Sequence, residues 1–170
     1  KKFLEEVVKY NVLPIDDRSI ERFDPVIAGR PDLMNGRTKL TLYAGATGIP
    51  ENAFINVKNS SLSLIADVDV PANASGVIIC QGGDFGGWTF YMMGGKLAYT
   101  YNFVGLEFYN IMSTQKVAPG KHILKFDFAY AGGRGGGGTG TLYLDDQKIG
   151  EGKIGKTNSN TFGIDESADV

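Results

Sequence analysis

"SLSLIADVDV", residues 61–70, decides the fold class. Leu62, Leu64, Ala66, Val68 and Val70 are apolar, Ser61, Ser63, Asp67 and Asp69 are polar, and only Ile65 breaks the alternation. A period of two sends alternate side chains to opposite faces of an extended chain, so this stretch reads as a half-buried strand. HILKFDFAY, residues 122–130, repeats the device, with Leu124, Phe126 and Phe128 on one face against Lys125 and Asp127 on the other. LYLDDQKIGEGKI, residues 142–154, supplies two shorter runs around Asp145-Asp146, which is a hairpin signal.

Working outward, GVIICQ, WTFYMM, KLAYTYNF and LEFYNIM are rich in β-branched and aromatic residues and are punctuated by Gly82-Gly83, Gly94-Gly95 and Gly105. Everything after about residue 37 has this strand-like character, and roughly ten short strands at such spacing predict an all-β, antiparallel β-sandwich. The expected shape is a jelly-roll, concanavalin- or laminin-G-like. A short N-terminal helix precedes it: Phe3, Leu4, Val7 and Val8 recur on one helical face over residues 2–10, and Pro14 stops the pattern. The predicted domains are therefore residues 1–35, a helix and linker, and residues 36–170, the sandwich. Glycine supplies 24 of the 170 residues, and the excess falls at turns. GGRGGGG, residues 132–138, reads as a mobile hairpin loop.

Composition narrows the partners. Lys plus Arg total 17 against 19 Asp plus Glu, a net charge of -2, which offers little to neutralise a phosphate backbone, so nucleic acid is not expected. No run of about 18 apolar residues is present, so no membrane span is expected. The opening KKFLEEVVKYN is too charged for the apolar centre of an export signal. The single cysteine, Cys80, forms no internal disulfide or multi-thiolate site and reads as a strand residue.

Candidate chemistry is sparse. The single histidine, His122, follows a Pro-Gly turn with no nucleophile motif beside it and reads as a strand-entry residue. Among the paired carboxylates, Asp16-Asp17, Asp67 with Asp69, Asp145-Asp146 and Asp165-Glu166, the aligned pair is Asp67 and Asp69, which also fits a solvated strand face. No metal ligand set is assigned. QGGDFGGW, residues 81–88, suggests a phosphate-cradling loop, but no Lys-Ser or Lys-Thr follows and the next element reads as a strand. Two readings of the aromatic residues stand. Trp88, Phe90 and Met92 share one strand face, with Tyr91 on the other, and Tyr99, Tyr101 and Phe103 share a face of the next strand. They either fill the sandwich core or form a sugar-stacking platform, with Trp88, Tyr91, Tyr99 and Tyr101 as rings and Asp84 and Asn102 among the polar partners.

A set of longer strings adds a resemblance. NVLPIDDR (11–18), ERFDP (21–25), GRTKLTLYAGATGIPENAFINVKNSS (36–61), QGGDFGGWTFYMMGGKLAYTYNFVGLEFYNI (81–111) and PGKHILKFDFAY (119–130) together resemble the C-terminal portion of bacterial arylsulfatases. The resemblance implies a non-catalytic accessory domain that packs on an N-terminal sulfatase catalytic domain and shapes its substrate cleft. Its alternative is an independent carbohydrate-binding, lectin-like module whose partner is a glycan. In the family, a sulfuric ester is cleaved by a formylglycine made within C/S-x-P-x-R, with a divalent metal of the calcium type. Here Cys80 is followed by QGG, so neither catalytic residue nor cofactor is assigned to this chain. The resemblance further implies an excised fragment whose helix face, Phe3 to Val8, is exposed, and a periplasmic or extracellular parent enzyme.

Overall fold

The computed structural model describes residues 1–14, 33–34, 36–163 and 165–170. The chain divides into two compact units, Lys1–Pro31 and Asp32–Val170. In the first, helix α1 (Lys2–Lys9) has Glu5 in its first turn and Lys9 in its last, each at the end the helix dipole favours. Val7 is buried, whereas Phe3, Leu4 and Val8 are exposed. Asp16-Asp17 and ERFDP lie outside the described residues. Among the described residues no helix is long and apolar enough to cross a membrane.

The second unit is an antiparallel β-sandwich. Its strands are β1 (Ile49–Pro50), β2 (Leu62–Val70), β3 (Gly76–Gly83), β4 (Gly86–Met93), β5 (Lys96–Phe103), β6 (Glu107–Met112), β7 (Gly120–Tyr130), β8 (Gly138–Leu144), β9 (Gln147–Ile154) and β10 (Ser167–Asp169). One sheet has the order β1-β10-β3-β4-β5-β6 and the other β2-β7-β8-β9. The chain crosses between sheets after β1, β2, β6 and β9, so the consecutive hairpins β3–β6 and β7–β9 build most of each layer. The alternation of residues 61–70 is realised in β2: its leucines turn toward β7 and the core, while Ser63, Ile65, Asp67 and Asp69 are exposed. Ile65 breaks the sequence pattern but not the structural one.

The core forms where the two inner faces meet. Phe90, Leu97, Tyr99 and Ile111 come from one sheet, and Leu124, Phe126, Leu142 and Ile154 from the other. Tyr99 stacks on Phe126 with ring centroids 3.7 Å apart, and this contact joins the two layers. The β8–β9 turn uses Asp145 and Asp146, both at positive φ (48° and 67°), as a two-residue hairpin of this hand requires.

One expectation needs correction. Residues 38–43 alternate like a strand, and Leu40 and Leu42 pack against the core, but the segment joins neither sheet. Periodicity reports burial of one face, whereas a strand also needs a partner for its backbone. The glycine-rich segment before β8 is the expected hairpin loop between β7 and β8, and it is tied at several points. Gly135 N donates to Asn59 Oδ1 at 2.8 Å, Thr157 Oγ1 donates to Gly136 O at 2.7 Å, and Tyr130 Oη donates to Gly133 O. A Cβ at Gly136 would lie 2.0 Å from Gly132 O, and one at Gly137 2.2 Å from Ile154 O, so the glycines serve close backbone packing.

Candidate functional site

The residues expected to make a site occupy three different places. Trp88, Tyr99 and Tyr101 lie on the inner face of the six-stranded sheet. Trp88 is 3% exposed, and its Nε1 donates to Oε1 of Gln81, its register partner on β3, at 3.2 Å. Its ring lies nearly parallel to that of Tyr99, at 6.2 Å and 17°. Tyr101 meets Phe162 edge-on and accepts a hydrogen bond from Asn158 N at 2.7 Å. Burial pushes the Tyr101 phenol up to about 12, and burial also pushes the Tyr99 phenol well above its usual value. Of the two readings of the stripe, the core reading holds: these faces touch other side chains and are not open to a sugar.

Tyr91 is on the opposite face of β4. Thr100 Oγ1 donates to Asn110 Oδ1 at 2.7 Å, which leaves it to accept from Tyr91 Oη at 3.1 Å. This relay runs across β4, β5 and β6 and does not reach Trp88.

Asp84 lies in the β3–β4 turn, and Asn102 lies near the end of β5, just before the β5–β6 turn. Asn102 Nδ2 donates to Gly83 O at 2.7 Å and to Asp84 O at 3.2 Å, while its Oδ1 accepts from Gly105 N at 2.7 Å. One buried amide thus ties the β3–β4 turn to the β5–β6 turn. The Asp84 carboxylate is exposed. The glycines of QGGDFGGW serve the hairpin itself, because a Cβ on Gly82 would lie 2.2 Å from Gly86 O and one on Gly87 2.2 Å from Gln81 O. Beyond the clamp, Phe85 is 74% and Leu106 80% exposed, an apolar pair raised on two joined turns.

Several residues near Trp88 were not singled out from sequence. Glu51 and Lys58 form a largely buried ion pair through Glu51 Oε1, which has no further hydrogen-bond partner among the described residues. Glu51 Oε2 accepts from Phe162 N at 2.9 Å, and Lys58 Nζ sits 4.8 Å from the Phe162 ring centroid. Both charges come from GIPENAFINVKN, a segment with almost no regular structure, so periodicity carries no signal of their pairing. With Trp88, Tyr99, Tyr101, Phe128 and Asn158, Lys58 lines a cavity of about 20 Å³ between the sheets. Pockets for sugars and cofactors run to about 300 Å³ or more.

The remaining titratable residues are spent on structure. His122 Nδ1 meets Asp145 Oδ2 at 2.7 Å and its Nε2 meets Ala118 O at 3.1 Å, so both ring nitrogens face acceptors. Asp145 Oδ1 accepts from Ile123 N at 2.9 Å; this bond and the one from His122 hold its carboxyl below the usual range. Glu107 is held low chiefly by Lys156 Nζ at 2.7 Å, with Tyr109 Oη donating to its other oxygen. Burial, with the charge of Asp169, pushes the Cys80 thiol up, away from the reactive thiolate. Asp67 and Asp69 project from the outer face of β2, and among the described residues no three His, Cys, Asp or Glu side chains converge as a metal site.

No protein-family model matches this chain, and none of the curated proteins does.

Proposed function

We propose that the chain is the accessory C-terminal β-sandwich domain of a bacterial arylsulfatase, without catalysis of its own, which packs on the catalytic domain and forms one wall of its substrate cleft. The observation that carries this reading is the end of the six-stranded sheet. There Asn102 holds two turns together, and Phe85 and Leu106 stand exposed on them. Apolar side chains on a braced, solvent-facing tip suit contact with another protein surface. The strings that carry the resemblance also supply this apparatus: QGGDFGGW forms one turn, and YNFVGLE provides Asn102 and the other turn. The reading is preferred to an independent glycan-binding module because three of the four rings that would stack on a sugar, Trp88, Tyr99 and Tyr101, lie inside the core, and Tyr91 stands apart from them on the other face of the sheet.

The test mixes the isolated chain with a separately expressed arylsulfatase catalytic domain and a chromogenic aryl sulfate. Alone, the chain releases no product. Added to the catalytic domain, it raises activity saturably, and Phe85→Asp with Leu106→Asp abolishes that rise while leaving the sandwich folded. Product release by the chain alone would refute the non-catalytic role. Saturable quenching of Trp88 fluorescence by glycans, without any effect on the catalytic domain, would favour the binding module.

A further inference from the structure

The four-stranded sheet ends on β2, and this edge differs from the other three edges of the sandwich. β1 is two residues long and ends on Pro50, which has no N–H to give. β6 has six residues, and its Glu107 is held by Lys156. β9 carries Lys148, Glu151 and Lys153, and its register with β8 shifts between Leu142 and Tyr143. Short strands, proline, charged side chains (lysine above all) and bulges are the devices that keep an edge from pairing with another chain. β2 lacks most of them: it runs nine residues, Leu62–Val70, with no lysine, arginine or proline, in unbroken register with β7. Among the described residues its backbone pairs with β7 and with no other segment. Its inner-face residues Leu62, Leu64, Ala66 and Val68 are only half-buried, whereas Leu124, Phe126 and Leu142 in the middle of the same sheet are fully buried.

The strand is complementary to itself when run antiparallel. A register that set even residues opposite odd ones would turn the second copy's leucines outward, so even must meet even. Like charges directly opposite each other are destabilising, which rules out centres at Asp67, Val68 or Asp69, where carboxylates would meet. Ile65 then chooses among the rest. It is 67% exposed, and the other outward positions of β2 are Ser63, Asp67 and Asp69. Centring on Ala66 would set this isoleucine against Asp67 of the second copy. Centring on Ile65 sets it against its own counterpart, with Ser61 and Ser63 opposite Asp69 and Asp67. On the inner face the same register places Leu62 opposite Val68 and Leu64 opposite Ala66, which covers the half-buried flank. Outward N–H and C=O groups recur at every second residue, so the pair exchanges about eight backbone hydrogen bonds.

We propose that the free edge of β2 is an interface for a second copy of this chain, whose β2 adds antiparallel about a two-fold axis at Ile65 and joins the two four-stranded sheets into one. The surface belongs to a different sheet from the tip formed by Phe85 and Leu106, so neither depends on the other. The test is sedimentation equilibrium of the whole chain across the micromolar range, with hydrogen exchange of the β2 amides followed at high and low protein concentration. The expected result is a mass twice that of the chain, and protection of alternate β2 amides that rises with concentration. Ile65→Asp and Ile65→Lys each change an exposed side chain, so both should keep the circular dichroism of the sandwich. Each variant alone should sediment as a monomer, because like charges meet at the axis. An equimolar mixture of the two should recover the doubled mass, because the carboxylate then faces the ammonium. A wild-type chain that stays monomeric, β2 exchange indifferent to concentration, single variants that still dimerise, or a mixture of folded variants that stays monomeric would each overturn the proposal.

Discussion

Removing the Asn102 amide tests how the two turns are held. Asn102→Ala deletes three hydrogen bonds to backbone groups, two donated to Gly83 O and Asp84 O and one accepted from Gly105 N. At about 1 kcal/mol each, with Asn102 nearly buried, the expected loss of stability is about 2–3 kcal/mol. The Gly105 amide should lose its protection from hydrogen exchange. Asn102→Asp is the sharper perturbation. An aspartate still accepts from Gly105 N, but it sets a carboxylate against two carbonyl oxygens that had received N–H donors. The aspartate variant should therefore be less stable than the alanine variant at neutral pH, and the gap should narrow in acid, as protonation restores a donor. Urea unfolding at two pH values, with exchange measured at Gly105, gives both results. An aspartate variant as stable as wild type, or an alanine variant within about 0.5 kcal/mol of it, would refute the clamp.

Three further outcomes follow from the same packing. Gly140→Ala would set a Cβ 2.5 Å from Ile111 Cδ1 and 2.6 Å from Phe126 Cε2, so overpacking should cost about 1–3 kcal/mol in urea unfolding. Lys58→Met should cost about 2–4 kcal/mol by leaving Glu51 buried and unpaired, and adding Glu51→Leu should recover much of the loss. Asp145 has a folded pKa below its unfolded one, so its contribution is present above the unfolded value of about 3.9 and fades as pH falls through the folded one. Asp145→Asn should accordingly flatten the fall in melting temperature below about pH 4 while lowering stability at neutral pH.

Legibility from sequence followed how local each determinant is. The alternation in β2 and β7 put Leu64 and Phe126 inside and Asp67 outside, because a strand's period is written in consecutive residues. The same period placed Trp88, Tyr99 and Tyr101 on shared faces, but it did not say what those faces meet. That depended on Phe126 arriving from a distant strand to stack on Tyr99. Asn102 has the chemistry of a sugar ligand, whereas its amide is consumed by backbone groups of two turns, one of them about twenty residues earlier in the chain. Glu51 and Lys58 come from a segment of almost no regular structure, where only the folded path brings opposite charges together. Leu40 and Leu42 show the converse limit: their pattern was strand-like and their burial agreed, yet no neighbouring strand receives their backbone.

The loop of residues 132–138 carries a lesson about information. By composition it is among the simplest stretches of the chain, six glycines in seven residues, the sort usually discounted as interchangeable filler. By structure, the carbonyls that meet its α-carbons at Gly136, Gly137 and Gly138 leave no room for a methyl group. A catalogue of tolerated variants would therefore show these positions as narrow as the aromatic core: the monotony of the loop records a strict demand repeated at successive residues.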